Sequence, residues 1–541
     1  MMLSSSANVI EDRIDFFGVY SDIYIEEFKL IIMESFSATF ERHKGLFNGF
    51  NEGEKREERF RKQFELRKSR RMDETYKKRN LRNVEIEWIN IEKFPAEEYC
   101  VEKLQEYVEC IKDGNRKVNL AGVYGIRRIL SQPKMNPIQQ VIDSGVVNLL
   151  NPFMFLDEYP QLQYETAWLL TNMFTGTSDQ IEYILKRGCI TGLTHMLNSS
   201  ITEVKEQVFW ALGNIATESG QYRDHILRPS IFPNLISIVM SGLSPIRLVK
   251  QGCWTLSCIC RTLPVPSELH CKQMIPPLNK GLLMHSEIGG SLQYILQAII
   301  SITCTYPVLI DYFIEEYILE TLISFVLNKS NDEVFYSLKI IGNFIAGSDL
   351  QTGAVVKAGG IKVLALVLKS DEAKLRREAM WSISNLCAGN SLQIDALWKS
   401  GIIKSVISCI GNEVYEVQKE VPWVLFNLVN NDFFYIDELV NLGLFQGLKH
   451  LITLKDTKMT MVCLECVDKC LEQAQSDSEV FMHYIEIIQN IDFVDVLESL
   501  QTHPNKKVYY KALKILETYL GSESEYQSLI ENIKELTPYN I

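Results

Sequence analysis

An all-α solenoid of about ten repeats, preceded by a basic arm, is the fold the sequence predicts. The first observation is a recurring pair, Trp followed four residues later by Asn: Trp168/Asn172, Trp210/Asn214, Trp381/Asn385 and Trp423/Asn427. Trp254/Cys258 and Lys339/Asn343 keep the frame with one member replaced, and Gln297 and Cys466 hold the Trp position of weaker copies. Successive steps from residue 168 are 42, 44, 43, 42, 42, 42 and 43. A fixed period of this size is the mark of a repeat array. The second observation is helical periodicity inside each unit. Apolar residues recur at three and four, and Gly-containing turns at 186–190, 357–361 and 399–403 precede a fresh apolar helix. The third is charge. Residues 51–82 carry 13 Lys/Arg and 7 Asp/Glu, a net of +6, in a chain whose total is 55 − 68 = −13.

Three helical segments in about 42 residues fit the armadillo class, a right-handed superhelix. In chain order, residues 1–41 form an N-terminal extension and 42–82 a basic arm. Residues 83–117 form a linker and the start of the first repeat, 118–520 the repeats, and 521–541 a C-terminal tail. The copies from Val118 (VNLAGVYGIRRILS) and Val508 (VYYKALKILETYL) are degenerate and read as caps.

Composition narrows the function. An acidic body argues against a nucleic-acid coat and favours basic partners. Thirteen scattered cysteines have no disulfide framework and read as buried thiols of a reducing compartment. Cys463, Cys466 and Cys470 share a helical face but lack a fourth ligand, so they are read as core and no metal is expected. Met1–Phe17 carries Glu11, Asp12 and Asp15 and is not expected to be a signal peptide. The uncharged run Ile288–Ile310 is long enough for a membrane span, but its Gly, Ser, Thr and Gln content favours a buried solenoid helix. HExxH, GxxxxGK[ST], GxSxG and GxGxxG are all absent, so the expected protein is not an enzyme and uses no cofactor.

Residues i and i+4 share one helical face. In a solenoid the same helix of every repeat lines one concave surface, so the pairs should form a ladder along a groove. An Asn amide offers both a donor and an acceptor to a peptide backbone. Neighbouring Trp rings make slots for aliphatic stems and attract cations. Glu206, Glu378 and Glu420 lie three or four residues before a Trp, and Glu218 and Asp349 lie just past helix ends. This groove suits an extended peptide rich in Lys and Arg. The ladder is therefore read as functional, not only as packing between repeats.

The segments WLLTNMFTGTSDQ, EQVFWALGNIATES, GNFIAGSD and EAMWSISNLCAGN resemble the armadillo repeats of importin-α, the nuclear-import adaptor. ELRKSRRMDETYKKRN (65–80) is similar to that family's importin-β-binding segment. The resemblance implies binding of nuclear localisation signals on cargo proteins, linkage to importin-β, shuttling between cytoplasm and nucleus, and recycling by an export receptor with Ran-GTP. It implies neither nucleic acid nor membrane as partner. A major site would comprise Trp168, Asn172, Thr177, Glu206, Gln207, Trp210, Asn214, Glu218, Trp254 and Arg261. A minor site would comprise Lys339, Asn343, Asp349, Glu378, Trp381, Asn385, Glu420, Trp423 and Asn427. Arg67, Lys68, Arg70, Arg71, Lys77, Lys78 and Arg79 would bind importin-β and cover the groove. The alternative is an armadillo scaffold for a cytoskeletal or signalling peptide without such a signal. Several positions depart from the family pattern: Cys258 replaces an Asn, Glu218 an Asp, Ile181 a Thr, and Gln297 and Ser301 an aromatic pair. REER (56–59) is more acidic than the family's arginine run.

Overall fold

The computed structural model describes residues 99–132, 137–284, 292–328, 331–430 and 435–520. The arm residues Arg67, Lys68, Arg70, Arg71, Lys77, Lys78 and Arg79, the extension 1–41 and the tail 521–541 lie outside them.

Among the described residues every regular element is a helix. The ladder helices are α1 (Arg116–Leu130), α2 (Pro160–Met173), α3 (Thr202–Glu218), α4 (Ile246–Arg261) and α5 (Leu292–Thr305). They continue as α6 (Asn331–Ile345), α7 (Ala373–Cys387), α8 (Val421–Asn430), α9 (Thr457–Ala474) and α10 (Lys506–Ile515). Each packs against the next. Helix Leu104–Lys112, within the stretch 83–117 read as linker and start of the first repeat, packs on α1.

The ladder helices are covered from two sides, and their sequences show it. In α2 every residue from Leu162 to Met173 is buried. Such a helix keeps only a sliver of exposed face, at Trp168, Thr171 and Asn172, and so lacks an amphipathic pattern. The uncharged run supplies α5, whose Tyr294, Ile295, Leu296, Ile299 and Ile302 are buried in the same layer. Among the described residues no single helix is long and apolar enough to cross a membrane.

Two devices fix the period. Gly188, Gly359 and Gly401 have φ of 82°, 94° and 75°, the left-handed region that a side chain disfavours, and each turns the chain into a fresh outer helix. Thr177 with Gln180, Ser348 with Gln351, and Asn390 with Gln393 form capping boxes at helix starts. The same glutamines reach the preceding repeat: Gln180 Nε2 donates to Gln139 Oε1 at 3.0 Å, and Gln393 Nε2 to the Asp349 carbonyl at 2.8 Å.

Glycine also lets the ladder close up. A Cβ on Gly213 would lie 2.2 Å from the Trp254 ring, and one on Gly342 2.5 Å from the Trp381 ring. Gly213→Ala is expected to destabilise the fold by about 1–3 kcal/mol through overpacking, although alanine is the better helix former. Urea unfolding monitored by tryptophan fluorescence checks this.

The three cysteines of α9 belong to the core. Cys463, Cys466 and Cys470 are fully buried, and burial pushes the Cys463 and Cys466 thiols up, away from the thiolate a metal needs.

Candidate functional site: a ladder of tryptophan and asparagine

The Asn members of the ladder, expected to serve a peptide groove, make hydrogen bonds between repeats. Asn214 Nδ2 donates to the Thr171 carbonyl at 3.0 Å and Asn427 Nδ2 to the Ser384 carbonyl at 2.7 Å, each 43 residues back. Asn172 Nδ2 donates to Ser131 Oγ at 3.0 Å, and Asn343 Nδ2 to Thr303 Oγ1 at 2.9 Å. One N–H of each amide thus pins a repeat to its predecessor. Asn385 differs: its Nδ2 is buried and meets no hydrogen-bond partner among the described residues.

The tryptophans divide into two kinds. Trp168 and Trp254 are buried, whereas Trp210, Trp381 and Trp423 are half-buried. Trp210 and Trp254 meet edge to face with ring centroids 6.3 Å apart. The sequence predicts a slot between those two rings, but their own contact fills it, and the exposed indole surface is that of Trp210. At Trp168 the ring face is taken by Arg127, whose guanidinium carbon lies 4.2 Å from the ring centroid and 4.5 Å from that of Tyr124. Arg127 Nε and Nη2 donate to Glu165 at 2.8 and 3.2 Å. Both side chains are buried. Burial alone would lower the Arg127 pKa. The Glu165 charge and its hydrogen bonds outweigh burial, so the Arg127 pKa rises.

Sequence reasoning missed Arg127, and it missed Arg247 as well. Arg247 Nε lies 2.9 Å from Glu206, and its Nη2 lies 2.5 Å from Glu203. Glu206, expected to face cargo directly, is therefore already paired within the chain. Gln207 is buried with its Oε1 unpartnered among the described residues, and its carbonyl accepts from Thr171 Oγ1. Thr177 caps a helix, and Ile181 is buried in the core. Glu218, half-buried at the end of α3, accepts from Ser178 Oγ at 2.6 Å.

The departures in the middle of the groove fit one another. Arg261 Nη1 donates to Gln297 Oε1 at 2.8 Å, and Gln297 Nε2 donates to the Tyr336 hydroxyl at 2.9 Å. Arg261 also lies 4.8 Å from the Tyr294 ring centroid, with its Nη2 3.7 Å from Cys258 Sγ. A polar relay across α4, α5 and α6 thus stands where an aromatic slot would be. With Cys258 and Gln297 at these positions, neither an amide nor an indole competes with the relay.

On the second half, Lys339 stands in the Trp position with its Nζ 4.9 Å from the Phe335 ring centroid. Glu378 is buried one turn before Trp381. Asp349 opens an outer helix and is exposed. Glu420, Trp423 and Asn427 are half-buried along α8 and the turn before it.

Comparisons with known proteins agree with this architecture. The armadillo/beta-catenin-like repeat family matches residues 177–217 and 348–388, and the atypical Arm repeat family matches 482–534. Importin subunit alpha-7 of Arabidopsis thaliana is 35% identical over 474 residues, 85% of this chain and 87% of the relative. Importin subunit alpha-3 of the same plant is 33% identical over 428 residues, 78% and 80% of the two chains. Importin subunit alpha-1b of Oryza sativa subsp. japonica is 32% identical over 432 residues, 79% and 80%. A crystal structure of an engineered protein superposes with a TM-score of 0.64 at 21% identity, covering 78% of this chain and 99% of that one, which bears on the fold alone. With identity above 30% across most of both chains, and with the armadillo repeats in place, this chain is a divergent member of the importin-α family of non-enzymatic transport adaptors.

Proposed function

We infer that this nuclear-import adaptor binds Lys/Arg-rich nuclear localisation signals in the groove lined by α2–α8. Importin-β would be engaged through the basic arm 42–82, and recycling would use an export receptor with Ran-GTP as the protein shuttles between cytoplasm and nucleus. The carrying observation is that half-buried indoles stand at the same ladder position on α3 (Trp210), α7 (Trp381) and α8 (Trp423), with carboxylates nearby in the sequence. An indole face attracts a cation, and its edge packs a lysine stem. Asn385 supports the reading. A buried amide N–H without a partner costs about 1–3 kcal/mol, and a peptide carbonyl in the groove would relieve it after a small rotation.

Trp210→Ala and Trp381→Ala are each expected to weaken a lysine-rich peptide by about 1–2 kcal/mol through lost cation–π and stem packing. Calorimetric titration against a non-basic control peptide checks this. Equal binding of both peptides would favour the other scaffold reading and sink this one.

The arm supports the same reading. KKR at 77–79 is a short basic run tethered to the groove it resembles a ligand for. A flexible tether gives an effective concentration near millimolar. Removing residues 1–82 is expected to tighten peptide binding in the absence of importin-β. Unchanged affinity would remove self-inhibition from the account.

A further inference from the structure

Outer helices follow each ladder helix, and the residue two places past their cap residue changes character along the chain. It is Asp179 after Thr177 and Gln221 after Ser219, then Glu479 after Asp477 near the far end. In four consecutive repeats between, it is Leu269, Val308, Leu350 and Leu392. These four are 65%, 54%, 86% and 80% exposed. Their helices, Glu268–Leu283, Ile310–Glu315 (with the turn Pro307–Leu309 before it), Asp349–Lys357 and Ser391–Lys399, pack against one another in succession. The four side chains therefore stand at equivalent positions on successive stacked helices, an aliphatic row along an edge of the solenoid about 30 Å long at roughly 10 Å per helix. Single exposed leucines are ordinary, but a row confined to four adjacent repeats calls for an occupant.

The charges beside the row say what kind of occupant fits. Glu268 and Asp349 immediately precede Leu269 and Leu350, and Asp311 and Asp395 lie three residues past Val308 and Leu392. Asp395 already has Lys399 at 2.6 Å, and Asp311 accepts only from the neutral Gln351 amide among the described residues. Lys272, three residues past Leu269, donates to the Tyr312 hydroxyl at 2.7 Å, so against four carboxylates the edge holds two cations, Lys272 and Lys399. It is apolar with a net negative charge, and its complement is apolar and positive.

We propose that the central stretch of the basic arm, residues 59–72, docks along this aliphatic row and extends the self-inhibited state beyond the groove. The segment RFRKQFELRKSRRM offers Phe60, Phe64, Leu66 and Met72 among seven Lys/Arg and one Glu. Residues 1–50 are also apolar but carry 4 basic and 8 acidic residues, so the edge repels them. Length agrees. With Lys77–Arg79 beside Trp210 in α3, Phe64 lies about 13 residues upstream and can reach about 45 Å at most. The row begins one repeat beyond α3 and ends four repeats beyond it, roughly 10–40 Å away. This docking rests on the groove reading only for where Lys77–Arg79 sit.

Tryptic cleavage of the full-length chain, resolved site by site by mass spectrometry, separates the two. Cuts after Arg59, Arg61, Lys62, Arg67 and Lys68 report the row, and cuts after Lys77, Lys78 and Arg79 report the groove. Leu350→Asp/Leu392→Asp is expected to speed the first group at least fivefold and leave the second group slow. Leu350→Met/Leu392→Met should keep the protection, and high exposure at both positions lets both variants fold. Trp210→Ala should speed the second group first; if it does not, the groove reading of the arm fails while the row is still judged by its own cuts. The row proposal is overturned if the Asp variant leaves the first group unchanged. It is equally overturned if those cuts are as fast in the intact protein as in a free 51–82 peptide. Protection that grows with protein concentration also overturns it, since the occupant would then be a second copy.

Discussion

Arg127→Ala is expected to destabilise the first repeats by about 3–5 kcal/mol, the cost of breaking a buried ion pair and stranding one charge. Glu165 is 1% exposed and Arg127 5% exposed, so water cannot replace the lost partner. The guanidinium also spans Tyr124 and Trp168, and its loss leaves a void between α1 and α2. Repeats contact mainly their neighbours, so the damage should be local. Hydrogen exchange should rise in α1 and α2 and leave α7–α10 protected. Replacing both partners, Arg127→Met with Glu165→Met, should recover most of the loss, because a well-packed apolar pair avoids the desolvation cost. A loss below about 1 kcal/mol for the single change would match an exposed pair and contradict the geometry. The variant has a second consequence. It bares the Trp168 face that Arg127 now covers, so a basic peptide can gain one more indole there even as the scaffold weakens.

The period was legible in the sequence because each device that sets it is a short local string. GTSDQ, GSDLQ and GNSLQ each encode a cap and a reach to the preceding repeat, and KRGCI, KAGGI and KSGII each encode a left-handed turn. The ladder positions were legible for the same reason. What those positions do within the chain was not. Asn214 bonding Thr171, Arg247 bonding Glu206 and Arg261 bonding Gln297 join residues 36 to 43 apart, and no local string records such partners. One clue was available. Trp254 packs on Gly213 and Trp381 on Gly342, and each of these glycines directly precedes a ladder Asn. Where a bulky Phe426 precedes Asn427, the next repeat has Cys466 in place of Trp. Reading those columns together would have shown that part of each indole serves packing. Arg127 was hidden by a different cause: the first repeat is degenerate and has no Trp to set its frame. The importin-β-binding residues proposed in the arm lie outside the described residues, and only binding experiments bear on them.

A two-site groove also sets a length. Trp210 sits in α3 and Trp381 in α7, four repeats apart. At roughly 10 Å per stacked helix the two indoles are separated by roughly 40 Å. An extended peptide advances at most roughly 3.3–3.6 Å per residue, so roughly 11–12 residues must join two basic clusters. Between them the peptide crosses the relay of Arg261, Gln297 and Tyr336, where a cation would meet Arg261 and be disfavoured. The linker should therefore be neutral or acidic. The decisive measurement is the affinity of a two-cluster peptide for the chain without residues 1–82, taken as a function of spacer length at fixed salt. The account predicts weak, single-cluster affinity at about five residues and a gain of on the order of 10²-fold or more once the spacer passes about 11. Trp381→Ala should lower that gain. Affinity that does not change with spacer length would contradict a groove with two cation sites.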